Sequence, residues 1–384
     1  MITVIADDFT GAAELGAIGF RYGLRGEIQR ELELETGSEL LVIDTDTRSR
    51  SEREARERVK DVAGSILEEK PEWIYKKVDS VMRGHILTEL TAMMRALEKG
   101  KVLLIPANPS LGRTISGGTY FVKGRPLSET DFSKDPEYPA TSSDVIELLG
   151  SSEEVEVRFL NRGRVLLPHG IAIGEAESKE DLLEWAAKLD EDTIPAGGSD
   201  FFRAILELKG FTPRPSERRM DRSKRGRSLF ICGSGSDYSQ RAIRRAERIG
   251  VPVCKMPIKL FKSERMIDEI LRKWAEEIIS AFERSHQVIA TIGYPVVRDP
   301  ILARRLQHFI SALAEEVMDR ISVEELYIEG GATASSVLRR LNWNRFYPCD
   351  ELAPGVVRMR VVGKEDLYLT VKPGSYPWPK GIWK

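Results

Sequence analysis

Strand-like and helix-like segments alternate along most of the chain, and this alternation limits the fold more than any other feature. The β-branched run ITVIA at 2–6 precedes a helix-like segment that opens at Thr10 and Gly11, and the same order then repeats. Alternating strands and helices favour a mostly parallel sheet that is covered by helices on both faces. The predicted fold class is therefore α/β, with mostly parallel sheets.

Two such series are present, and a charged segment separates them. In the first series we predict strands at 39–44, 73–78 and 101–107 and near 155–160 and 164–173, and helices at 51–69, at 85–100, near 178–189 and within GGSDFFRAILEL. In the second series we predict strands at 228–233, 251–256, 287–292 and 325–330, helices at 239–250, within 264–284, near 299–319 and at 332–341, and a closing pair of strand-like runs at 355–363 and 365–372.

The segment 211–227, FTPRPSERRMDRSKRGR, contains two prolines, many charges and almost no apolar residues, as is typical of an exposed linker. With 384 residues the chain is long enough for two domains. We predict a first domain over 1–212, a linker over 213–227 and a second domain over 228–384.

Composition excludes several classes of protein. The hydrophobic share of 41% excludes disorder over most of the chain, and a net charge of -2, from 58 basic and 60 acidic residues, provides no global attraction for a polyanion. The arginines of 211–227 are the one hint of a nucleic-acid arm, and a solvated linker explains them better. No apolar run is long enough to cross a bilayer, so we expect a cytoplasmic protein with no membrane and no nucleic-acid partner.

The cysteines and histidines carry no metal or disulfide pattern. Three cysteines are widely spaced without a CxxC pair, and the four histidines lack HxxxH or HExxH spacing. We expect the cysteines to be small buried hydrophobes. No metal-ligating residue is assigned.

The segment ADDFTGA at 6–12 is the first candidate site, because open α/β sheets bind ligands beyond the carboxyl ends of their strands. Asp7 or Asp8 would serve as a general base, a magnesium ligand or a hydroxyl ligand, while Thr10 and the first helical N–H groups would meet an anion. Simple capping of the helix by Asp or Thr is the alternative explanation.

The segment YKKVDSVMRG at 75–84 is the second candidate. It places Lys76, Lys77, Asp79, Ser80 and Arg83 at the end of an apolar strand. Cations beside a carboxylate suit an anionic, hydroxylated substrate, since Lys or Arg pairs with its carboxylate and Asp79 accepts from a hydroxyl. A solvated loop with local ion pairs is the alternative.

Two further segments of the first domain add cations. DTDTRS at 44–49 also ends a strand and offers Arg48 as a second carboxylate clamp. The stretch from Asn108 to about Pro139 is rich in Gly, Pro, Ser and Thr and is too long for an ordinary connection. Within it Asn108, Arg113 and the glycines would close over a ligand as a lid, or form a purely structural loop.

Glycine-rich turns follow two predicted strands of the second domain. ICGSGSDYS at 231–239 and YIEGGATASS at 327–336 would let backbone N–H groups approach a phosphate chain, although tight turns use the same letters. Neither segment is a P-loop, and GSGSDY is not a dinucleotide GxGxxG motif.

Together these motifs resemble one family, the four-carbon acid sugar kinases, which phosphorylate acids such as threonate, erythronate or 3-oxo-tetronate with ATP. The matching segments follow family order over nearly the whole chain: IADDFTGAAELG, VIDTDTRS, YKKVDSVMRG, PANPSLGRT, GTYFVKGRPLSETDFSKDP, AGGSDFF, ICGSGSDYSQRAI, IEGGATAS, ELAPGVV and LYLTVKPGSYPWP. The resemblance implies an acid-sugar domain and a nucleotide domain that face each other across a ligand cleft.

The resemblance also implies roles for individual residues. The expected acid-sugar contacts are Asp8, Arg48, Lys77, Asp79 and Ser80, with Lys76, Arg83 and Arg113 as neighbours; the expected ATP contacts are Ser234, Gly330, Gly331, Ala332, Thr333 and Gly374. The γ-phosphoryl group of ATP would pass to a substrate hydroxyl with Mg²⁺ bridging phosphate oxygens, and Asp79 or Asp8 would accept the hydroxyl proton. The expected partners are the sugar acid, ATP and, at most, a second copy of the chain in a homodimer.

Two rival functions remain open from sequence. A nicotinamide-dependent oxidoreductase would need an acidic ribose-binding residue at the next strand end, and none lies near Lys255 and Met256. A sugar-acid-responsive protein without turnover is suggested by Ala332, which replaces the acidic residue of the family's usual GGET or GGDT turn.

Overall fold

A computed structural model describes residues 1–34, 36–135, 137–214, 226–262, 267–293, 299–374 and 376–383. The chain divides into two compact units, Met1–Pro215 and Ser216–Lys384. Most of the predicted linker over 213–227 lies outside the described residues, so these domain boundaries stay a prediction.

The first unit follows the predicted alternation of strands and helices. Its strands are β1 (Ile2–Ala6), β2 (Gly26–Gln29), β3 (Leu40–Asp44), β4 (Trp73–Lys77), β5 (Lys101–Ile105), β6 (Arg113–Ser116), β7 (Thr119–Val122), β8 (Arg125–Pro126), β9 (Val157–Leu160), β10 (Gly170–Gly174) and β11 (Thr193–Gly197). Its α-helices are α1 (Phe9–Arg21), α2 (Glu52–Glu68), α3 (Ile86–Ala96), α4 (Val145–Leu149), α5 (Lys179–Ala186) and α6 (Ser199–Leu208).

The first unit's main sheet is parallel throughout its described pairs. Its strand order is β2-β3-β1-β4-β11-β5-β10-β9. The register aligns Ala6 with Asp44 and with Lys77, and it aligns Gly197 with Lys77 and with Ile105. Five neighbouring strands therefore end at one level, and the polar residues that follow them share one edge of the sheet.

The Gly- and Pro-rich excursion after β5 folds as a small separate sheet. Strands β6, β7 and β8 pair antiparallel in that order. Isolated bridges tie this sheet back to the rest of the unit, from Ile115 to Ala176 and from Thr119 to Asp144. The stretch predicted as a lid or a structural loop thus contains an antiparallel three-stranded sheet.

The second unit has a mixed sheet. Its strands are β12 (Ser228–Cys232), β13 (Val253–Lys255), β14 (Gln287–Thr291), β15 (Glu325–Glu329), β16 (Arg345–Ala353), β17 (Val356–Val361) and β18 (Tyr368–Lys372), and its helices are α7 (Asp237–Arg248), α8 (Lys259–Lys262), α9 (Ile267–Phe282), α10 (Pro300–Arg320) and α11 (Gly331–Arg340). The order is β13-β14-β12-β15-β18-β17-β16, parallel up to β18 and antiparallel beyond it. Cys232, Glu329 and Lys372 share one level, so the turns after β12, β15 and β18 lie side by side.

Apolar residues on both faces of the parallel strands form the cores, as the sequence pattern indicates. All five residues of β1 and of β3 are buried. In the second unit, Phe230 and Tyr327 stack with ring centroids 4.2 Å apart and contact Trp378, which closes that core from the C-terminal segment. None of the helices in the described parts of the chain is both long and apolar enough to cross a membrane.

The α/β prediction is confirmed, with mostly parallel sheets in two units. Outside the excursion after β5, three of the described strands were not predicted: β2, β11 and β16. Strand β11 reads Thr-Ile-Pro-Ala-Gly, and both Pro and Gly are depleted in strands. Strand β16 contains Pro348, Asp350 and Glu351, and its register shifts twice against β17.

Candidate functional site

Asp8 caps the first helix of the first unit. Its Oδ1 accepts from the Gly11 backbone N–H at 2.8 Å, and its Oδ2 accepts from the Thr10 hydroxyl at 2.7 Å. An added Cβ at Gly11 would lie 2.8 Å from Asp8 Oδ1 and 3.2 Å from Lys77 Nζ, so glycine leaves room for both polar groups. The capping explanation is confirmed for Asp8, and the cap lies beside the Lys77 ammonium group.

Arg48 contacts three carboxylates, each more than 30 positions away from it in sequence. Its Nε and Nη2 lie 2.8 and 2.7 Å from Asp7 Oδ2, and its Nη1 lies 2.9 Å from Asp8 Oδ2 and 3.6 Å from Asp79 Oδ2. Because three of its nitrogens already face carboxylates, Arg48 has little donor capacity left for a substrate carboxylate. The guanidinium group therefore fixes the relative positions of Asp7, Asp8 and Asp79.

Asp79 is the most heavily hydrogen-bonded carboxylate of the cluster. Arg83 binds it through Nε at 3.1 Å and Nη2 at 2.7 Å, and the Val81 backbone N–H donates at 3.0 Å. The Arg83 Nη1 reaches Asp135 of the excursion at 2.9 Å. The local ion pair expected from sequence as the alternative is thus present, with Asp79 buried and Arg83 partly exposed.

The excursion supplies a second cation near Ser80. Arg113 donates to the Ser80 hydroxyl, and the Tyr120 hydroxyl donates to the Ser80 carbonyl. The Phe132 ring lies beneath both guanidinium groups, 5.6 Å from Arg113 and 5.8 Å from Arg83. These contacts hold the excursion against the edge where β4 ends.

Lys76 and Lys77 have different environments although they are adjacent. The Lys76 ammonium group lies 2.6 Å from Glu89 Oε2 of α3, and both side chains are fully buried. The Lys77 ammonium group donates to the Val78 carbonyl at 2.8 Å and lies by the start of α1. Successive strand side chains point to opposite faces of a sheet, which explains the separation. Lys76 is therefore enclosed in an internal ion pair, away from the other predicted substrate residues.

The electrostatic environment separates the three aspartates. Burial disfavours ionisation of each, but Arg48 and Lys77 outweigh burial at Asp8, and Arg83 and Arg48 outweigh it at Asp79, so the pKa values of Asp8 and Asp79 are below their ordinary value. At Asp7 burial prevails over Arg48 and the pKa is raised. Asp7 Oδ1 is also buried with no hydrogen-bond partner.

Three turns meet in the second unit. The Ser234 hydroxyl would lie 3.2 Å from a Cβ added at Gly374, and Gly330 Cα would lie 4.0 Å from the same point. A Cβ at Gly233 would collide with Thr333. Gly330 has φ 98°, a conformation that favours glycine, and it immediately precedes α11. The turns therefore form one glycine-lined surface, onto which the N–H groups at the start of α11 open.

A buried ion pair lies directly under these turns. Lys372 Nζ donates to Glu329 Oε1 at 2.7 Å, and the Ser239 hydroxyl donates to Glu329 Oε2 at 2.9 Å. Lys372 Nζ also donates to the Pro373 carbonyl at 3.1 Å. This network ties the ends of β15 and β18 to α7 and so fixes the position of the glycine turns.

The structure brings together most of the predicted site residues within each unit. In the first unit Asp8, Arg48, Lys77, Asp79, Ser80, Arg83 and Arg113 share one edge, and in the second unit Ser234, Gly330, Thr333 and Gly374 share one surface with Gly331. Ala332 lies exposed in the first turn of α11. Of the predicted substrate residues, Lys76 does not join this edge, because its ammonium group is paired with Glu89 of α3.

Several residues that build these surfaces were not predicted. Phe132 and Asp135 belong to the excursion, in a segment whose sequence does not indicate these contacts. Glu329 and Lys372 did carry a signal, because each is a charged residue at the end of an otherwise apolar strand. Within the described ranges, no group of three or more His, Cys, Asp or Glu side chains is arranged to hold a metal ion.

Relatives with known names match this chain over nearly its full length. The chain is 26% identical to the D-threonate kinase of Salmonella typhimurium, over 97% of this chain and 94% of the relative. It is 26% identical to the D-erythronate kinase of Heliobacterium modesticaldum (94% and 90% covered) and 24% identical to the 3-oxo-tetronate kinase of Brucella melitensis (97% and 92%).

Solved structures share the fold at lower identity. A Salmonella typhimurium protein provisionally named a tRNA synthase matches with a TM-score of 0.75 at 20% identity, over 98% of this chain and 96% of that one. A Haemophilus influenzae protein matches with a TM-score of 0.67 at 21% identity, over 97% and 96%. These likenesses establish the fold alone.

One family model matches the N-terminal half of the chain and another matches the C-terminal half. Residues 2–199 match the model described as a sugar-binding N-terminal domain, and residues 229–376 match the model described as a nucleotide-binding C-terminal domain. Since the first match alone spans more than half of the 384 residues, the chain belongs to the family that joins a sugar-binding N-terminal domain to a nucleotide-binding C-terminal domain.

Proposed function

We propose that this protein is an ATP-dependent kinase that phosphorylates a hydroxyl group of a four-carbon sugar acid such as threonate, erythronate or 3-oxo-tetronate. The observation that carries the proposal is the cluster at one sheet edge, where Lys77 and Arg113 lie beside aspartates that Arg48 holds together. An anionic, hydroxylated ligand matches this mixture of cations and hydrogen-bond acceptors. Relatives that act on different acids of this size support the substrate class.

The contacts suggest a division of roles within the first unit. Lys77 binds the substrate carboxylate, since in the described part of the chain its ammonium group donates to a backbone carbonyl, that of Val78, and forms no short ion pair. Arg113 and Ser80 bind the opposite part of the acid. Arg48 is a positioning residue, because its donors already face carboxylates. Lys76 supports the strand from within the core and does not contact the substrate.

Asp8 is the favoured proton acceptor in this proposal. Asp79 receives two nitrogens of Arg83 and the Val81 N–H, which leaves its lone pairs occupied and makes it a positioning residue. Asp8 lies at the start of α1 next to Lys77, where a substrate hydroxyl could exchange for the Thr10 hydroxyl as its partner. A weak base suffices, because phosphoryl transfer depends mainly on positioning and charge neutralisation.

ATP would bind the glycine-lined surface of the second unit. Ser234, Gly330, Gly331, Ala332, Thr333 and Gly374 are the proposed contacts. Because glycine has no side chain, a phosphate chain can approach the backbone at these turns. The first N–H groups of α11 favour negative charge. The buried pair of Glu329 and Lys372 positions the turns.

Mg²⁺ is proposed as the counter-ion that arrives with ATP. Glu329 is the nearby carboxylate, and Lys372 and Ser239 already occupy its two oxygens, so the described residues do not form a protein cage for the ion. Mg²⁺ is commonly held by substrate phosphates and water with few protein ligands, which is consistent with this arrangement. The homodimer stays a prediction.

A binding protein without turnover is the second candidate, because Ala332 places a methyl group at an exposed position in the first turn of α11. The test is release of ADP from ATP with Mg²⁺ in the presence of threonate, erythronate, 3-oxo-tetronate or glycerate. Turnover with one acid establishes the kinase and identifies its substrate. Thermal stabilisation by ATP and by an acid, with no ADP released, would establish the binding protein instead.

A further inference from the structure

Asn108 carries a buried amide group whose oxygen and nitrogen have different surroundings. Its Oδ1 accepts from the backbone N–H of Asp200 at 2.9 Å and from the Ser199 hydroxyl at 3.4 Å. Its Nδ2 is buried and has no hydrogen-bond partner among the residues that the structure describes. The side chain is almost fully buried, so bulk water does not satisfy this donor.

The orientation of the amide follows from its partners. A backbone N–H can only donate, so the atom that faces Asp200 must be the oxygen, and the NH2 group must occupy the other position. Gly198 allows this approach, because a Cβ there would collide with Asn108 Oδ1. The amide is therefore locked with its two N–H bonds directed away from α6.

The backbone of Asn108 is fixed as well. Its N–H donates to the Arg113 carbonyl at 2.8 Å, and its carbonyl accepts from the Arg113 N–H at 3.1 Å. Arg113 in turn binds Ser80, which places Asn108 in the same cluster as the proposed acid-binding residues. Asn108 also follows β5, one of the five strands that end at the candidate site.

An unsatisfied buried donor destabilises a folded protein, so rigid contacts that hold a donor in this state need an explanation. A ligand oxygen that pairs with the donor recovers this cost only when it is bound. A neutral amide is suited to a hydroxyl group, while the substrate carboxylate is already matched to Lys77.

We propose that Asn108 is a specificity residue whose Nδ2 donates a hydrogen bond to a non-terminal hydroxyl group of the sugar acid. This inference rests on the proposed function for the substrate class. It adds a neutral, pre-oriented amide donor beside the charged donors Lys77 and Arg113. The site would thereby distinguish acids by the presence of that hydroxyl group.

The test compares Asn108→Asp with Asn108→Ala and with Ser199→Ala. Asp keeps an oxygen for the Asp200 N–H and replaces the free donor by an acceptor. We expect kcat/KM for the best acid to fall about 100-fold in N108D, mainly through KM, because the variant has no N–H to donate to the hydroxyl oxygen and places a negative charge beside an anionic acid. S199A removes only the long bond to Oδ1 and should retain the kinetics of the wild type.

Substrates that lack one hydroxyl group provide the decisive control. 2,4-Dihydroxybutanoate and 3,4-dihydroxybutanoate each lack one non-terminal hydroxyl and keep the terminal one. With the acid that lacks the partner, wild type and N108D should differ less than threefold. An unchanged difference between the two proteins on both acids would overturn the proposal, as would an N108D enzyme with the KM of the wild type.

Thermal shifts separate this inference from the kinase proposal and from misfolding. The ATP-induced rise in Tm should persist in N108D and N108A, because ATP is assigned to the second unit. The acid-induced rise should be lost in both variants. If the wild type binds an acid without turnover, the kinase proposal fails, but the acid-induced shift in Tm still tests the Asn108 inference. An equal acid-induced shift in wild type and N108D would overturn the Asn108 inference.

Discussion

Lys76 forms an ion pair with Glu89 in which the two charged atoms lie 2.6 Å apart and neither side chain reaches solvent. Its neighbour Lys77 lies by the start of α1 instead. Two adjacent lysines therefore differ in what their charges accomplish: one stabilises the packing of α3 on the sheet, and the other is available to a ligand.

Replacing each lysine by methionine should separate the two roles. Lys76→Met leaves the Glu89 carboxylate buried without a partner and should lower the free energy of unfolding by about 3–5 kcal/mol. Lys77→Met should lower the Tm by less than Lys76→Met, because Arg48 still compensates the Asp8 carboxylate, and should raise KM for the acid at least about tenfold. Urea denaturation and steady-state kinetics measure the two effects.

A double variant provides the control. Lys76→Met with Glu89→Leu removes both charges and should recover much of the lost stability, since a buried pair can be replaced by apolar groups. Equal stability of the two single variants would contradict the assignment of Lys76 to the core.

The aspartates Asp8 and Asp79 should respond differently to replacement by asparagine. Asn is an effective helix cap, so Asp8→Asn should keep the fold while kcat falls by about 10²–10⁴-fold through loss of the proton acceptor. Asp79→Asn removes one buried countercharge from both Arg83 and Arg48, which keep Asp135 and the pair Asp7 and Asp8 respectively, and should lower both the Tm and kcat. A D8N enzyme with near-normal kcat would exclude Asp8 as the acceptor.

The glycine turn after β12 should not tolerate a methyl group. Gly233→Ala would press against Thr333 and should raise KM for ATP at least about tenfold while leaving KM for the acid unchanged. Gly64→Ala is the matched control, because nothing lies within 4 Å of that position in α2. It should stabilise the protein slightly, by up to about 1 kcal/mol. Equal ATP kinetics in both variants would argue against the proposed nucleotide surface.

Asp44 should make stability depend on pH near neutrality. Burial, and to a lesser extent Asp46, raise its pKa to about 7 from a model-compound value of 3.8. Between these values the folded state retains a proton that the unfolded state has released, so the free energy of unfolding falls as pH rises through this window. Its favourable contribution is complete at acid pH and is lost above about pH 7.

Calorimetry from pH 5 to pH 8 checks this sign. Asp44→Asn cannot ionise, so its Tm should fall less over that range than the wild-type Tm, by at least about 2 °C. The exposed Asp61→Asn in α2 is the control and should follow the wild type. A parallel fall in D44N and wild type would show that Asp44 does not carry the dependence.

Much of the architecture was predictable from local pattern. The continuous buried runs of β1 and β3 specify these strands directly. The periodic apolar residues of α2, together with the Ser51 capping box, specify that helix. Strand β11 was missed because Pro195 and Gly197 argue against a strand, yet its central position in the sheet overrides propensity.

The site was predictable in its location and less so in its contacts. The carboxyl ends of the strands indicate where the polar residues gather, and Asp8, Arg48 and Asp79 do meet there. The burial of Lys76 depends on Glu89, which lies 13 positions later on a helix face, and the donor capacity of Arg48 depends on three partners. Such pairings are set by tertiary packing, so sequence spacing alone does not reveal them.

The order of strands in the first unit has a consequence for synthesis of the chain. Strand β11 lies between β4 and β5, although about 90 residues separate it from β5 in sequence. Until Thr193–Gly197 leaves the ribosome, β4 and β5 lack their shared neighbour, and Asp200 is unavailable to orient Asn108. A nascent chain therefore cannot complete the candidate site before nearly all of this unit has been translated, and premature termination upstream of β11 would yield a sheet in two separate pieces.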